Sequence, residues 1–366
     1  MQRHLCSNLQ PAEYPSRIAY PGLLMSTTEP IQLGGAPGSP YTRKMLAVLR
    51  YRHLPYRFMI LNRYATQMPM PKVSLLPTFW FPDAQGALQP VTDSTPIIRR
   101  LEREHVGRSV LPADPVLALL DELLEDYGDE WLTKAMFHYR WHYADDIERA
   151  GEVLPRWRAI TATEETIAQM KQQFSERQIS RLRYVGSSPE TAPVIEDSYR
   201  RFLDLFDAHL RRYPFLMGAR PGASDFGIFG QLTQLTHFDP TPMALTLKRS
   251  PRVFAWVDLV EDLSGLTVTD DGWMTREAAM ESLRDLLTEV GRTYVPVMLA
   301  NEAALAQGLE QVQTVVEGLR WVQQPFAYQG KCVRWLRESW QRLSPTDQGA
   351  LRDLLADTGC LRLFEG

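Results

Sequence analysis

A small α/β domain, then a long all-helical region, then a helical C-terminal extension is the architecture this sequence predicts. Three observations point there. Between residues 28 and 108, apolar runs of strand length alternate with two helical patterns, each opened by a Ser-Pro or Asp-Ser-Thr-Pro start. From Leu111-Pro112 onward strand signals fade and apolar residues recur at helical intervals. About a hundred further residues follow position 265 in the same helical style. At roughly 100–200 residues per domain, a chain of 366 residues has room for these parts.

The elements can be justified in order. Residues 1–27 carry Pro11, Pro15, Pro21 and Glu13 and no apolar block, so they read as a flexible leader rather than a targeting signal. Met25 before Ser-Thr-Thr-Glu is a plausible alternative start. Ile31-Gln32-Leu33 reads as a strand and Gly34 to Gly38 as a loop. Ser39-Pro40 then starts a helix, with Ser at the N-cap and Pro at the first helical position. Met45, Leu46, Val48 and Leu49 give that helix its apolar face, and it should stop near His53-Leu54-Pro55. Tyr56–Leu61 reads as a second strand. Thr78–Phe81 and Ala87–Gln89 flank the Pro82–Gly86 turn cluster of a hairpin. Asp93-Ser94-Thr95-Pro96 opens a second helix carrying Ile97, Ile98 and Leu101.

Over residues 112–265, Leu117, Leu120, Leu124, Tyr127 and Trp131 share one helical face, and Phe202, Phe206 and Leu210 another, separated by a Gly/Ser/Pro loop at 186–193. In the extension, residues 266–366, helices are expected over Ala278–Val290, Ala303–Leu319 and Val333–Leu343. A last helix opens at Ser344-Pro345, and Trp321–Gly330 reads as an aromatic and glutamine-rich connector.

Composition narrows the function. A net charge of −4 argues against a dedicated nucleic-acid binder. Only six of the 40 basic residues are lysines (44, 72, 134, 171, 248 and 331), too few for a membrane-surface role. No apolar run approaches the roughly 20 residues that span a bilayer. The chain therefore reads as soluble, and Cys6, Cys332 and Cys360, without a CxxC or metal-ligand spacing, point to a reducing, cytoplasmic compartment and to no metal.

Three pieces, GSPYTRKMLAVLRYRHLPY, LLPTFWFPD and DSTPIIRRLE, resemble in order and spacing the N-terminal, thioredoxin-like domain of the glutathione S-transferase superfamily. Phe215–Asp225 resembles the lead into the core helix of that superfamily's all-helical C-terminal domain, with Gly222 where Ser or Thr is common. The resemblance implies glutathione as substrate or ligand and a homodimer. Ser39 falls where several classes carry Ser or Cys, so it is the expected donor to the glutathione sulfur; Tyr41 is the alternative hydroxyl. Each also has a plain reading, Ser39 as an N-cap and Tyr41 as a packing ring. Leu76-Pro77 falls at the superfamily's cis-proline, where the main chain of the preceding residue meets the cysteinyl part. Asp93 and Ser94 fall at the γ-glutamyl site, Ser94 for the carboxylate and Asp93 for the ammonium, although Asp is one methylene shorter than the usual Glu. Both would also serve as helix starters.

An acceptor pocket would lie between the two domains, with Tyr127, Trp131, His138 and Arg140 as its candidate residues; aromatic residues at this spacing otherwise form core. The expected reaction is attack of glutathione thiolate on a small hydrophobic electrophile. The alternative is a non-catalytic glutathione- or ligand-binding protein on the same fold. Thiol–disulfide reduction is disfavoured, since no cysteine lies between positions 7 and 331.

Overall fold

A computed structural model describes residues 29–60 and 68–365; the leader and Leu61, the last residue of the expected second strand, lie outside them. The N-terminal unit runs β1 (Ile31–Gly35), α1 (Pro40–Tyr51), β2 (Tyr56–Ile60), β3 (Thr78–Pro82), β4 (Leu88–Thr92) and α2 (Ser94–Glu104). Its sheet order is β2-β1-β3-β4, with β1 parallel to β2 and antiparallel to β3, and β3 antiparallel to β4. This is the expected thioredoxin-like arrangement. β3 is apolar on both sides: Phe79 and Phe81 join the main core, while Trp80 packs with Met59, Met68 and Leu88 on the other face. Pro90 is tolerated because β4 is an edge strand, where a missing N–H costs no ladder bond.

The helical part starts with α3 (Pro115–Tyr127), whose N-cap Asp114 accepts from the N–H groups of Val116 and Leu117. It passes through a π-helical turn (Gly128–Leu132) into α4 (Thr133–His142), followed by α5 (Ala144–Arg158), α6 (Glu164–Ile179), α7 (Ala192–Leu210), α8 (Ala223–His237), α9 (Pro240–Arg249) and α10 (Pro251–Val260). Helix α8 is buried along nearly its whole length. The glycine that starts it has a tertiary explanation. Asp121 of α3 reaches over to accept from the N–H groups of Ala223 and Ser224 and from the Ser224 hydroxyl. A side chain at Gly222 would lie 2.2 Å from that carboxylate. The cap is thus supplied from another helix, and Gly leaves room for it.

The extension continues with α11 (Arg276–Gln307), β5 (Val312–Val316), β6 (Leu319–Gln323), α12 (Ala327–Arg342) and α13 (Pro345–Leu355). One expectation needs correcting: Ala303–Leu319 is not a helix. α11 ends at Gly308 in the left-handed region, and a β5–β6 hairpin follows. Glu317 and Gly318, at φ 54° and 76°, form the two-residue turn whose twist suits antiparallel strands. Val312, Thr314, Val315 and Val316 are β-branched and favour the pleated conformation. The expected connector divides accordingly, Trp321–Gln323 closing β6 and Ala327–Gly330 opening α12.

The extension shares the main core. Trp321 packs against Trp131 with ring centroids 5.3 Å apart, and α11, α12 and α13 all pack on α3. Core residues from Leu33 to Phe364 form one connected cluster. Among the described residues no helix is long and apolar enough to cross a membrane.

Candidate functional site

Strand register brings three of the sequence motifs to one end of the sheet. Gly34 of β1 pairs with Thr78 of β3, and Thr78 pairs with Thr92 of β4. The loop to Ser39 leaves β1 just beyond Gly34, Leu76-Pro77 immediately precedes Thr78, and Asp93-Ser94 immediately follows Thr92. Neighbouring strands lie about 4.8 Å apart, so these motifs sit side by side. The Leu76–Pro77 peptide is cis. Helices α1 and α2 both begin at this end, so their partial positive charge and free N–H groups converge there.

Ser39 is the N-cap of α1, its Oγ accepting from the Thr42 N–H at 3.2 Å. Capping uses an oxygen lone pair and leaves the hydroxyl proton for another acceptor. The capping and donor roles are therefore compatible. Tyr41 is committed elsewhere: its hydroxyl donates to the Asp129 carbonyl at 2.8 Å. Burial first, then the Glu130 and Asp129 carboxylates, push that hydroxyl well above the usual phenol range.

The loop before Ser39 is braced by the helical domain. Arg140 donates from Nη1 to the Gly38 carbonyl at 3.1 Å, from Nη2 to Gln234 at 2.8 Å, and pairs with buried Asp239 at 2.9 Å. Burial raises the Asp239 pKa to about 6 against the opposing pull of Arg140. Gly38 has no room for a side chain, because Leu154 and Trp157 of α5 lie over it, within 2.4 and 2.8 Å of where a Cβ would be. These two half-buried residues border Gly38, next to Ser39 in the chain, and the sequence offered little reason to choose them.

Of the four acceptor-pocket candidates, only Arg140 reaches the Ser39 loop. Tyr127 is enclosed between Phe202 and Tyr294. Trp131 is enclosed against Trp321, its Nε1–H donating to Ser198. His138 is enclosed between Ser187, at 2.8 Å from Nδ1, and Glu196, at 3.3 Å from Nε2. All three are core residues, which is the ordinary outcome for aromatic side chains at helical spacing.

Burial drops the His138 pKa to about 4, although Glu196 pulls it up. A base whose folded pKa is depressed confers stability that is complete above its unfolded pKa, near 6.5, and is lost as pH falls from there towards 4. The full effect is about 3 kcal/mol. Denaturant titrations should therefore show the advantage of the wild type over His138→Gln shrinking between pH 7 and pH 4.5. A constant difference would mean that the imidazole titrates equally in both states.

Beneath Ser94 lies a buried charge cluster that the sequence reading missed. Lys44 Nζ, fully buried in α1, is 2.7 Å from Glu125 Oε1, 2.5 Å from Asp129 Oδ2 and 3.2 Å from Ser94 Oγ. Thr95 and Arg99 of α2 also bond to Glu125. Burial alone would lower the Lys44 pKa, but Asp129 and Glu125 hold it above the ordinary lysine value. Of the two acids, Glu125 stays below its ordinary value, since Lys44 and Arg99 outweigh its burial. Burial lifts Asp129 to about 6. The only signal in sequence was a lysine amid the apolar face of α1.

Asp93 sits between Ser94 and the extension in an unusual backbone conformation, φ 88°. Such residues store roughly 1–3 kcal/mol and cluster at functional sites. Of the two described cysteines, both buried, burial pushes the Cys332 thiol well up and the Cys360 thiol to about 12. Cys6 lies outside the described residues. Among these residues no group of His, Cys, Asp and Glu is arranged to hold a metal ion.

Comparison with protein families matches residues 33–109 to the glutathione S-transferase N-terminal domain and residues 164–259 to the glutathione S-transferase C-terminal domain. No curated protein matches the chain. Similar solved structures include a glutathione S-transferase from Rhodospirillum rubrum F11, 19% identical, covering 68% of this chain and 98% of that one at a TM-score of 0.40. Another is a glutathione transferase family member from Pseudomonas fluorescens pf-5 with two glutathione bound. It is 16% identical and covers 63% of this chain and 88% of that one at a TM-score of 0.38.

Proposed function

This chain belongs to the glutathione S-transferase superfamily, and from that premise we propose that it binds glutathione and directs its thiolate at a small hydrophobic electrophile. The observation that carries the proposal is the register Gly34–Thr78–Thr92, which sets Ser39, Leu76-Pro77 and Asp93-Ser94 at one sheet end. On this reading residues 28–108 form the glutathione-binding domain, 112–265 the helical domain, and 266–366 the extension that packs on both. A homodimer in the cytoplasm goes with the same reading.

The chemistry follows from the placement. The thiolate is the nucleophile, and a free thiol is only a few per cent ionised near pH 7. At the N-terminus of α1 the sulfur meets positive helix charge, and Ser39 donates its hydroxyl proton to the developing anion. The thiol proton leaves to solvent, and the sulfur lone pair forms the new C–S bond while the electrophile's leaving group departs or its double bond takes up the electrons. The main chain of Leu76 aligns the cysteinyl part ahead of Pro77. Ser94 offers hydroxyl and N–H to the γ-glutamyl carboxylate, and Asp93 takes the ammonium. The electrophile approaches along Leu154 and Trp157.

Calorimetric titration of glutathione at neutral pH, in two buffers of different ionisation enthalpy, tests this. Binding is expected with release of a proton. A hydrogen bond to a charged group contributes about 1.5–3 kcal/mol, so Ser39→Ala should lower conjugation of an activated aryl halide about 10- to 100-fold and reduce the proton release. Binding without proton release would favour the non-catalytic glutathione-binding protein. No binding would overturn the assignment.

A further inference from the structure

The γ-glutamyl end of the site has a wall that neither matched family domain contains. Both carboxylate oxygens of Asp93 are engaged by α12 of the extension. The Tyr328 hydroxyl donates to Oδ1 at 2.7 Å, and Lys331 Nζ lies 3.4 Å from Oδ2. Both residues lie beyond the matched segments, which end at position 259. Their placement is built. Asn301 of α11 clamps the start of α12, donating to the Phe326 carbonyl at 3.0 Å and accepting from the Phe326 N–H at 2.8 Å. Lys331 rests over the Trp335 ring at 4.1 Å and keeps 39% of its side chain exposed, while Asp93 keeps 11%. One partner of the ion pair is enclosed and the other faces solvent.

We propose that Lys331 is a ligand-contacting residue that reads the α-carboxylate of the γ-glutamyl group, with Tyr328 holding Asp93 in place for the α-ammonium. The inference rests on the glutathione reading and deepens it. An Asp93–Lys331 pair is a negative charge beside a positive one, and an amino-acid zwitterion is the complementary pair. When the ligand arrives, its ammonium takes the place of Lys331 against Asp93. The released Lys331 ammonium then meets the ligand carboxylate as it docks on Ser94 at the start of α2. All four charges stay paired throughout. A ligand with only one of the two charges would leave either Lys331 or Asp93 without its counterpart, so the site selects for the complete zwitterion. The extension thereby supplies, from within the same chain, part of the wall that recognises the substrate.

Calorimetry on the full chain separates this from a merely structural contact. Two ligands are used: glutathione, and 4-aminobutanoyl-cysteinyl-glycine, which keeps the ammonium and lacks the α-carboxylate. Lys331→Ala is expected to weaken glutathione binding about tenfold, the scale of one charge-assisted hydrogen bond, and to leave binding of the analogue unchanged or tighter, since the analogue no longer has to displace Lys331 without pairing it. Lys331→Arg should restore glutathione binding to within about threefold. Equal weakening for both ligands would overturn the inference, because a structural role does not distinguish them. So would unchanged or tighter glutathione binding, which would make Lys331 a cover over the site. Failure of the wild type to bind glutathione at all would remove the glutathione reading itself, and this inference with it.

Discussion

Replacing Arg140 by Met is expected to cost about 3–5 kcal/mol of unfolding free energy, because it leaves the enclosed Asp239 carboxylate without its ionic partner. The methionine fills much of the volume, so the loss reports charge rather than a cavity. The deficit should depend on pH with a definite sign. Asp239 already has a folded pKa of about 6, raised by burial and held down by Arg140. Removing the arginine raises it further. An acid with a raised folded pKa is destabilising when ionised, and the penalty is relieved as pH falls through that pKa. The deficit against the wild type should therefore be largest above pH 7 and shrink towards pH 6 and below. Denaturant titrations at pH 8 and pH 5 read it directly, and a deficit that grows towards acid would contradict the assignment. Arg140 also holds the Gly38 carbonyl, so glutathione binding should weaken even at a pH where the variant is folded.

Lys44→Met should be as damaging, for a related reason. The ammonium is completely enclosed and faces two carboxylates and the Ser94 hydroxyl. Its removal strands Asp129, while Glu125 keeps Arg99 and Thr95. A loss of about 3–5 kcal/mol is expected. Adding Asp129→Asn to the same chain should return part of it, since a neutral amide costs less to enclose than an orphaned charge. Additive losses in the double variant would show that the two side chains do not interact. Because Ser94 begins α2, the proposed function adds that the single variant should also bind glutathione more weakly.

These two predictions concern residues whose roles were legible to different degrees. Ser39-Pro40, Asp114-Pro115 and Ser344-Pro345 announce helix starts through capping, which involves atoms only two or three residues apart. The sheet strands were legible for a similar reason: their β-branched and aromatic runs end in turn residues. The hairpin at Val312–Gln323 carried the same kind of signal in its β-branched run and its Glu-Gly turn. The helical spacing of Ala303 and its neighbours masked it, since α11 does run to Gln307. Arg140 stood out as a polar residue on an aromatic helix, but its partners Gly38 and Asp239 lie about a hundred positions away in opposite directions. Lys44 looked like an ordinary position in α1, because Glu125 and Asp129 are more than 80 residues further along.

By itself, the sequence determined the family, the element order up to the extension and the three motifs that meet at one end of the sheet. Those depend on local capping, strand patterning and turn residues, whose energetics are settled within a few positions. Tertiary structure alone decided which polar groups face one another across the interior. It placed Asp121 at the start of α8, Lys44 beneath Ser94, and Tyr328 and Lys331 on Asp93, 235 and 238 residues apart in the chain. Such pairings leave no local pattern, because an enclosed charge needs a partner but the partner's place in the chain is free.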